Sequence, residues 1–155
     1  MAGPADEIRT FAPEHANGCA KLYAATFGEK PWHEAWTEDS ARERLSQATD
    51  SPNFYGLVAL RGGEVVGLAF GYRRRRPGGD FYFLDEMCVS SDARGSGVGN
   101  WLMARLRQDL AEAGVVRIVL LTTGGGRARH FYEKNGFQVD DGWVLMTRER
   151  QPSDT

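Results

Sequence analysis

The chain has 155 residues, the size of one ordinary domain. Hydrophobic residues make up 41% and charged residues 26%, which is typical of a globular protein and excludes a largely disordered one. The formal net charge of -2 gives no general reason to expect nucleic-acid binding, and the sequence has no apolar run of about 18 residues that could span a membrane. We therefore expect one domain over residues 1–155, with neither nucleic acid nor membrane as a partner.

The cysteines and the first residues indicate the cellular compartment in which the protein is expected. Cys19 and Cys88 lack metal-type spacing and are too few for a disulfide framework, which favours reduced thiols and predicts no metal site. Residues 1–7 are acidic and lack the apolar segment of a secretory signal. These features predict a cytoplasmic protein.

The first half of the chain predicts one strand and two helices. Residues 8–11 suit a strand, and a helical pattern begins at Pro13 and ends at Gly28. Thr37 is a good N-cap for a second helix through Leu45. The apolar residues that share one face of the first helix are Cys19, Leu22, Tyr23 and Phe27.

Three consecutive antiparallel strands are predicted next. Residues 54–61 and 64–72 are separated by Gly62-Gly63, a two-residue hairpin turn that requires positive φ. A second turn at residues 77–79 leads into a strand over residues 80–89.

The remaining elements alternate between helix and strand. A helix is predicted over residues 98–113 and a nearly all-apolar strand, covered on both faces, over residues 115–122. A short helix over residues 127–135 precedes strand material at 137–139 and 143–147. This order predicts an α/β domain with a mixed, mostly antiparallel sheet and helices on both faces.

The sequence Arg94-Gly95-Ser96-Gly97-Val98-Gly99 lies between a predicted strand and a predicted helix. Its glycines allow close approach of the backbone to a ligand, and the amides and dipole of the helix start favour a phosphate. The spacing fits neither a Walker loop nor a Rossmann loop, whose third glycine would fall at Asn100. The segment therefore reads as a pyrophosphate-binding loop of another kind, the alternative being a glycine-rich turn without a ligand.

This loop and the strand before it, Leu84-Asp85-Glu86-Met87-Cys88-Val89, resemble the acetyl-CoA-binding signature of the GNAT N-acetyltransferase superfamily. Farther on, Ala128, Tyr132 and Gly136-Phe137 resemble the superfamily's second motif. The two motifs span residues 84–137. The resemblance implies a GNAT fold, with residues 1–80 mainly on the acceptor side and residues 81–139 forming the acetyl-CoA-binding core.

The resemblance also implies which residues hold acetyl-CoA as cosubstrate. Backbone groups of the strand would pair with the pantetheine arm, and the loop would bind the pyrophosphate. One departure is Gly125, where the superfamily often has an asparagine that contacts pantetheine. The implied cofactor-binding residues are Met87, Cys88, Val89, Arg94, Gly95, Ser96, Gly97, Val98, Gly99 and Asn100.

Direct transfer to an amine needs a base for the amine proton and an acid for the departing thiolate. Tyr132 matches the superfamily's acid. Asp85 and Glu86 are the candidate bases, and because they are adjacent on a strand only one should face the reaction unless a bulge intervenes. Counting back from Val89 as in GNAT enzymes favours Asp85, with Glu86 close behind.

The leading expectation for the acceptor is a small-molecule amine, and the excess of four acidic over basic side chains in residues 1–50 favours one that resembles an aminoglycoside. Glu29 and Glu34 are candidates to attract a cation. Arg73–Arg76 are expected to be a solvated run or, if functional, to hold an anionic acceptor or the 3′-phosphate of CoA. Protein or peptide acetylation and a non-catalytic CoA sensor are the alternatives, and GNAT proteins are frequently homodimers. The residues considered for an aromatic wall of the acceptor site are Phe27, Trp32, His33, Trp36 and Tyr72.

Overall fold

The computed structural model describes residues 7–154, which form two compact units that divide after Leu121. Residues 1–6, most of the N-terminal stretch considered above for a secretory signal, lie outside the described residues. No helix within residues 7–154 is long and apolar enough to cross a membrane.

The elements follow the predicted order closely through the first unit. Two short 3-10 turns, Pro13–His15 and Ser91–Ala93, precede the first and third helices. The first unit contains β1 Glu7–Thr10, α1 Ala16–Gly28, α2 Glu38–Thr49, β2 Phe54–Arg61, β3 Glu64–Arg74, β4 Asp80–Val89, α3 Val98–Glu112 and β5 Val115–Val119. The second unit contains α4 Arg127–Lys134.

The five strands form one mixed sheet in the order β1-β2-β3-β4-β5. The first four strands pair antiparallel, and β5 pairs parallel with β4. At the hairpin between β2 and β3, Gly62 and Gly63 have φ of +58° and +82°, as the turn requires. The predicted mixed, mostly antiparallel sheet is therefore confirmed.

Helices cover both faces of this sheet. Leu68 and Phe70 of β3 share a buried core with residues of α1 and α2. Gly67, the residue before Leu68, faces α3 so closely that a Cβ there would lie 2.8 Å from a methyl group of Leu102. Adjacent strand residues point to opposite faces, so α3 lies on the side of the sheet opposite to α1 and α2.

Two predictions in the last third of the chain were wrong. The strand predicted over 115–122 ends at Val119 and is an edge strand, with Val116 63% exposed, because β4 is its one partner among the described strands. Residues 137–139 and 143–147 form no strand, and Trp143 is 69% exposed. A strand needs a neighbour to satisfy the hydrogen bonds of its backbone, and an apolar pattern does not supply one.

The second helix also extends four residues beyond its predicted end, to Thr49.

Candidate active site

A β-bulge in β4 places both candidate bases on one side of the sheet. Along β3, Gly71 pairs with Leu84 but Phe70 pairs with Glu86, so Asp85 is the extra residue of the bulge. One extra residue interrupts the alternation of side chains between the two faces. Asp85 and Glu86 consequently both face the side of the sheet covered by α2.

Arg44 of α2 holds the two carboxylates together. Its Nη2 donates to Glu86 Oε1 at 2.7 Å and lies 3.4 Å from Asp85 Oδ2. Sequence reasoning missed Arg44. The available signal was its position next to Leu45, one of the buried residues of α2, which places an arginine at the margin of the buried face.

Glu86 is the more strongly perturbed of the two acids. Its side chain is 9% exposed, and burial raises the pKa of Glu86 to about 7 even though Arg44 and a hydrogen bond from Tyr23 oppose the shift. Burial, with the nearby Glu86 carboxylate, also raises the pKa of the Tyr23 hydroxyl. A carboxyl group with a pKa near neutrality can accept a proton at physiological pH and release it again.

Cys88 follows two residues later on the same face of β4. It is a free, buried thiol, and burial raises the pKa of Cys88 well above its ordinary range. The neutral thiol packs in the core shared with Cys19 and Leu22 of α1. A thiol held in this form is a poor nucleophile, which favours a packing role for Cys88.

The second half of β4 lies where β4 and β5 stop pairing. In the described part of the chain, β5 pairs with Asp80–Phe83 and with nothing beyond. Met87–Val89 pair on their other side with β3, opposite Gly67–Ala69. On the β5 side of β4, the backbone of Met87–Val89 is therefore a strand edge. An extended ligand could pair with this edge as another strand.

The glycine loop joins this strand to α3. Gly95 and Gly97 have φ of +79° and +91°, and Val98 is the first residue of the helix. A Cβ at Gly95 would meet no atom within 4 Å, so the loop is open on that side. Gly97 has no side chain with which to cap α3, and the positive end of the helix dipole faces the loop. The loop therefore has the shape and polarity that suit a phosphate.

Arg94 forms an ion pair with Glu29, the residue that follows α1. Its Nη2 donates to Glu29 Oε1 at 3.1 Å. The sequence predicts that Glu29 attracts a cationic acceptor, but its carboxylate is paired with this arginine. The ion pair orients Arg94 at the start of the glycine loop.

The five residues considered for an aromatic wall do not form one group. Tyr23, Phe27 and Trp36 make ring contacts beside α1, with Trp32 against Phe27. Tyr72 lies elsewhere, stacked on Phe83 with ring centroids 5.5 Å apart. Glu34 accepts a hydrogen bond from the indole of Trp36 at 3.0 Å.

The second unit contains the remaining predicted residues. Tyr132 lies on α4, with ring contacts to Phe131 and Phe137 at 5.4 and 5.6 Å. Gly126 begins the helix with a φ of +95°, and Gly125 lies in the loop before it. No cluster of potential metal ligands is present within residues 7–154.

Comparisons with known proteins agree with this architecture. The profile of the Acetyltransferase (GNAT) family matches residues 12–137. Acetyltransferase SG1711 of Sodalis glossinidius (strain morsitans) is 31% identical over 142 residues, which cover 90% of this chain and 92% of that protein.

Solved structures show the same fold. The crystal structure of a probable acetyltransferase superposes with a TM-score of 0.77 at 21% identity, over 94% of this chain and 98% of the other. Aminoglycoside N-acetyltransferase AAC(6′)-Iy in complex with CoA superposes with a TM-score of 0.69 at 18% identity, over 94% and 95% of the two chains. The family match, the relative and the shared fold together show that this chain is an acetyltransferase of the GNAT family.

Proposed function

We propose that this enzyme transfers the acetyl group of acetyl-CoA directly to the amine of a small molecule. The observation that carries the proposal is the buried Glu86 at the bulge of β4, whose pKa lies near 7. It lies on the strand whose edge is open and which leads into the phosphate-suited loop. A proton acceptor and a binding surface for an extended phosphate-bearing ligand thus lie on consecutive segments of one chain.

The residues present fit coenzyme A. Met87, Cys88 and Val89 would pair with the pantetheine arm through their backbone. The loop and the first turn of α3 would bind the pyrophosphate. When bound, acetyl-CoA would supply the thioester carbonyl that the amine attacks. The proposed phosphate-binding residues are Arg94, Gly95, Ser96, Gly97, Val98, Gly99 and Asn100.

The residues of the chain would handle the two protons of the reaction. Transfer forms a C–N bond and breaks a C–S bond, so the amine loses a proton and the thiolate gains one. We assign the first proton to Glu86, directly or through a water molecule, and we assign donation to the sulfur to Tyr132. Asp85 remains the second candidate base, because the bulge places it on the same side of the sheet as Glu86.

Aminoglycosides are one candidate class of acceptor. The support is that structures with this fold include two aminoglycoside acetyltransferases, and that the first 50 residues of this chain are acidic. Acetylation of a protein or peptide and CoA sensing without catalysis are the competing functions. We keep the cytoplasmic location and a homodimer as predictions.

Thiol release from acetyl-CoA in the presence of a panel of amines tests the proposal. Steady turnover with a small amine supports it, whereas turnover with peptides alone would favour protein acetylation. Tight CoA binding by calorimetry without turnover would favour a sensor. The absence of CoA binding at millimolar ligand would refute acetyl transfer by this site.

A further inference from the structure

A groove beside the two carboxylates belongs to no part of the cofactor site. It lies between the second half of α2, the loop that follows α2, the end of β3 and the bulge of β4, and has a volume of about 310 Å³. This is at the lower end of the range for small-molecule sites, roughly 300–1,000 Å³. The residues that line it are Arg44, Gln47, Ala48, Ser51, Asn53, Tyr72, Arg74 and Asp85.

At one end of the groove two carboxylates share one arginine, Arg44, and the guanidinium of Arg74 lies at the other end. Asp85 supplies a carboxylate at the bulge. The neighbouring Glu86 accepts a hydrogen bond from Arg44, whose Nη2 also lies near Asp85. The guanidinium of Arg74 lies 5.1 Å above the ring of Tyr72. Within residues 7–154, Arg74 forms no salt bridge to a carboxylate.

The other arginines of the run 73–76 are engaged differently. Arg73 donates to Asp80 at 2.8 Å and to the carbonyl of Ala113 at 3.0 Å. Arg76 lies over the ring of Phe81. Of the four, Arg74 is the one that lines the groove.

The strand register gives the spacing between the Asp85 end and the Arg74 end of the groove. Tyr72 pairs with Phe83, and Asp85 follows two residues later. Two residues of a strand span about 7 Å. Because the guanidinium of Arg74 lies over the ring of Tyr72, the backbone spacing of about 7 Å between Tyr72 and Asp85 along the strand direction sets the scale of the separation between the two charges.

We propose that the groove binds the acceptor, and that the acceptor is a small amine carrying an anionic group, a carboxylate or phosphate, about 7 Å from its nitrogen. Asp85 attracts the ammonium end, and Arg74 binds the anion by charge-assisted hydrogen bonds. The guanidinium of Arg74 disfavours a polycation such as an aminoglycoside at this end of the groove, whereas the charge of Arg44 is already compensated by Asp85 and Glu86. This inference rests on the proposed acetyl transfer for its substrate assignment.

Matched amines test the charge preference. 5-Aminopentanoate and 3-aminopropyl phosphate carry the anion at this distance, and 5-aminopentanamide is the neutral counterpart of the first. We expect kcat/KM for 5-aminopentanoate to exceed that for the amide by about 10-fold or more, mainly through KM. Comparison of the two anionic amines shows which anion the groove prefers.

Arg74→Gln should bring 5-aminopentanoate and its amide to within about 3-fold of each other. Arg75→Gln is the control, because Arg75 neighbours Arg74 without lining the groove. Equal efficiency of both amines in the wild-type enzyme, a preference for an aminoglycoside, or an equal effect of the two substitutions would overturn the inference. Melting temperatures of both variants verify that they are folded.

Calorimetry separates failure of this inference from failure of acetyl transfer. 5-Aminopentanoate and its amide are titrated into the protein in the presence of CoA. Tighter binding of the anionic amine, abolished by Arg74→Gln, supports the groove assignment even if no amine is acetylated. Turnover of neutral amines with no binding preference for the anion refutes the groove assignment and leaves acetyl transfer intact.

Discussion

Asp85 and Glu86 are consecutive residues of one strand, and both contact the same nitrogen of Arg44, at 3.4 and 2.7 Å. The bulge that makes this possible also separates their environments. Asp85 lines an open groove, whereas Glu86 is 9% exposed. Two acids in contact with one cation can therefore serve different purposes, one attracting an ammonium and the other accepting a proton.

Replacement of Glu86 by Gln should lower kcat/KM by about 100-fold or more, because it removes the proposed base. Glu86 must be ionised to accept a proton, so wild-type activity should rise with pH through a midpoint of about 7. Measurement of kcat/KM between about pH 5 and pH 9 locates this midpoint and checks the prediction. Asp85→Asn is the matched variant. A larger loss for Asp85→Asn than for Glu86→Gln would reassign the base to Asp85.

Arg44→Met should raise the midpoint of the acidic limb of the kcat/KM profile by about 1 pH unit or more, because Arg44 lowers the pKa of Glu86. Arg42→Met is the control, since Arg42 lies two residues earlier on α2 and hydrogen-bonds Asn17. Its profile should match that of the wild type. An unchanged limb in Arg44→Met would show that the limb reports another group.

The burial of Glu86 should also appear in the pH dependence of stability. Its pKa is raised from 4.5 to about 7, so between these values the folded state binds a proton that the unfolded state has lost. The free energy of unfolding should consequently fall as pH rises through this window, by up to about 3 kcal/mol from this group. Urea unfolding of wild type and Glu86→Gln across the window measures the contribution. If the difference between the two proteins is independent of pH, the pKa of Glu86 is not raised.

The sequence was most informative where turns delimit the strands. Gly62-Gly63 between β2 and β3, and the turn at 77–79 before β4, allowed the bounds of β2 and β4 to be predicted as the structure has them. Positive φ at a tight turn is a local requirement, which local sequence can report.

The geometry of the candidate site depended on longer-range information. Alternation predicts that Asp85 and Glu86 face opposite ways, and nothing in the strand's own residues marks the bulge. Arg44 is 42 residues away from Glu86 in sequence, so no spacing rule connects them. The strands predicted at 137–139 and 143–147 failed for a related reason, because strand pairing depends on a partner that an apolar pattern does not specify.

Gly95→Ala should weaken binding of CoA. Its φ of +79° disfavours a side chain, and because the space around it is open the cost is backbone strain of about 1 kcal/mol. Gly63→Ala is a matched control, with a φ of +82° and equally open surroundings in the β2–β3 turn. Both variants should lose similar stability in urea unfolding. Calorimetry should detect weaker CoA binding for Gly95→Ala alone, and an equal change in both would remove the loop from the cofactor site.

Tyr132→Phe should lower kcat with little change in CoA affinity, because the variant keeps the ring that contacts Phe131 and Phe137 and removes the hydroxyl proposed to protonate the thiolate. Tyr55→Phe is a control for the loss of a tyrosine hydroxyl elsewhere. It removes a hydrogen bond to Asp109 and should lower stability while leaving kcat unchanged. Steady-state kinetics and CoA calorimetry on both variants separate the two effects. If Tyr132→Phe retains the wild-type kcat across the pH range, the leaving thiolate obtains its proton from another donor.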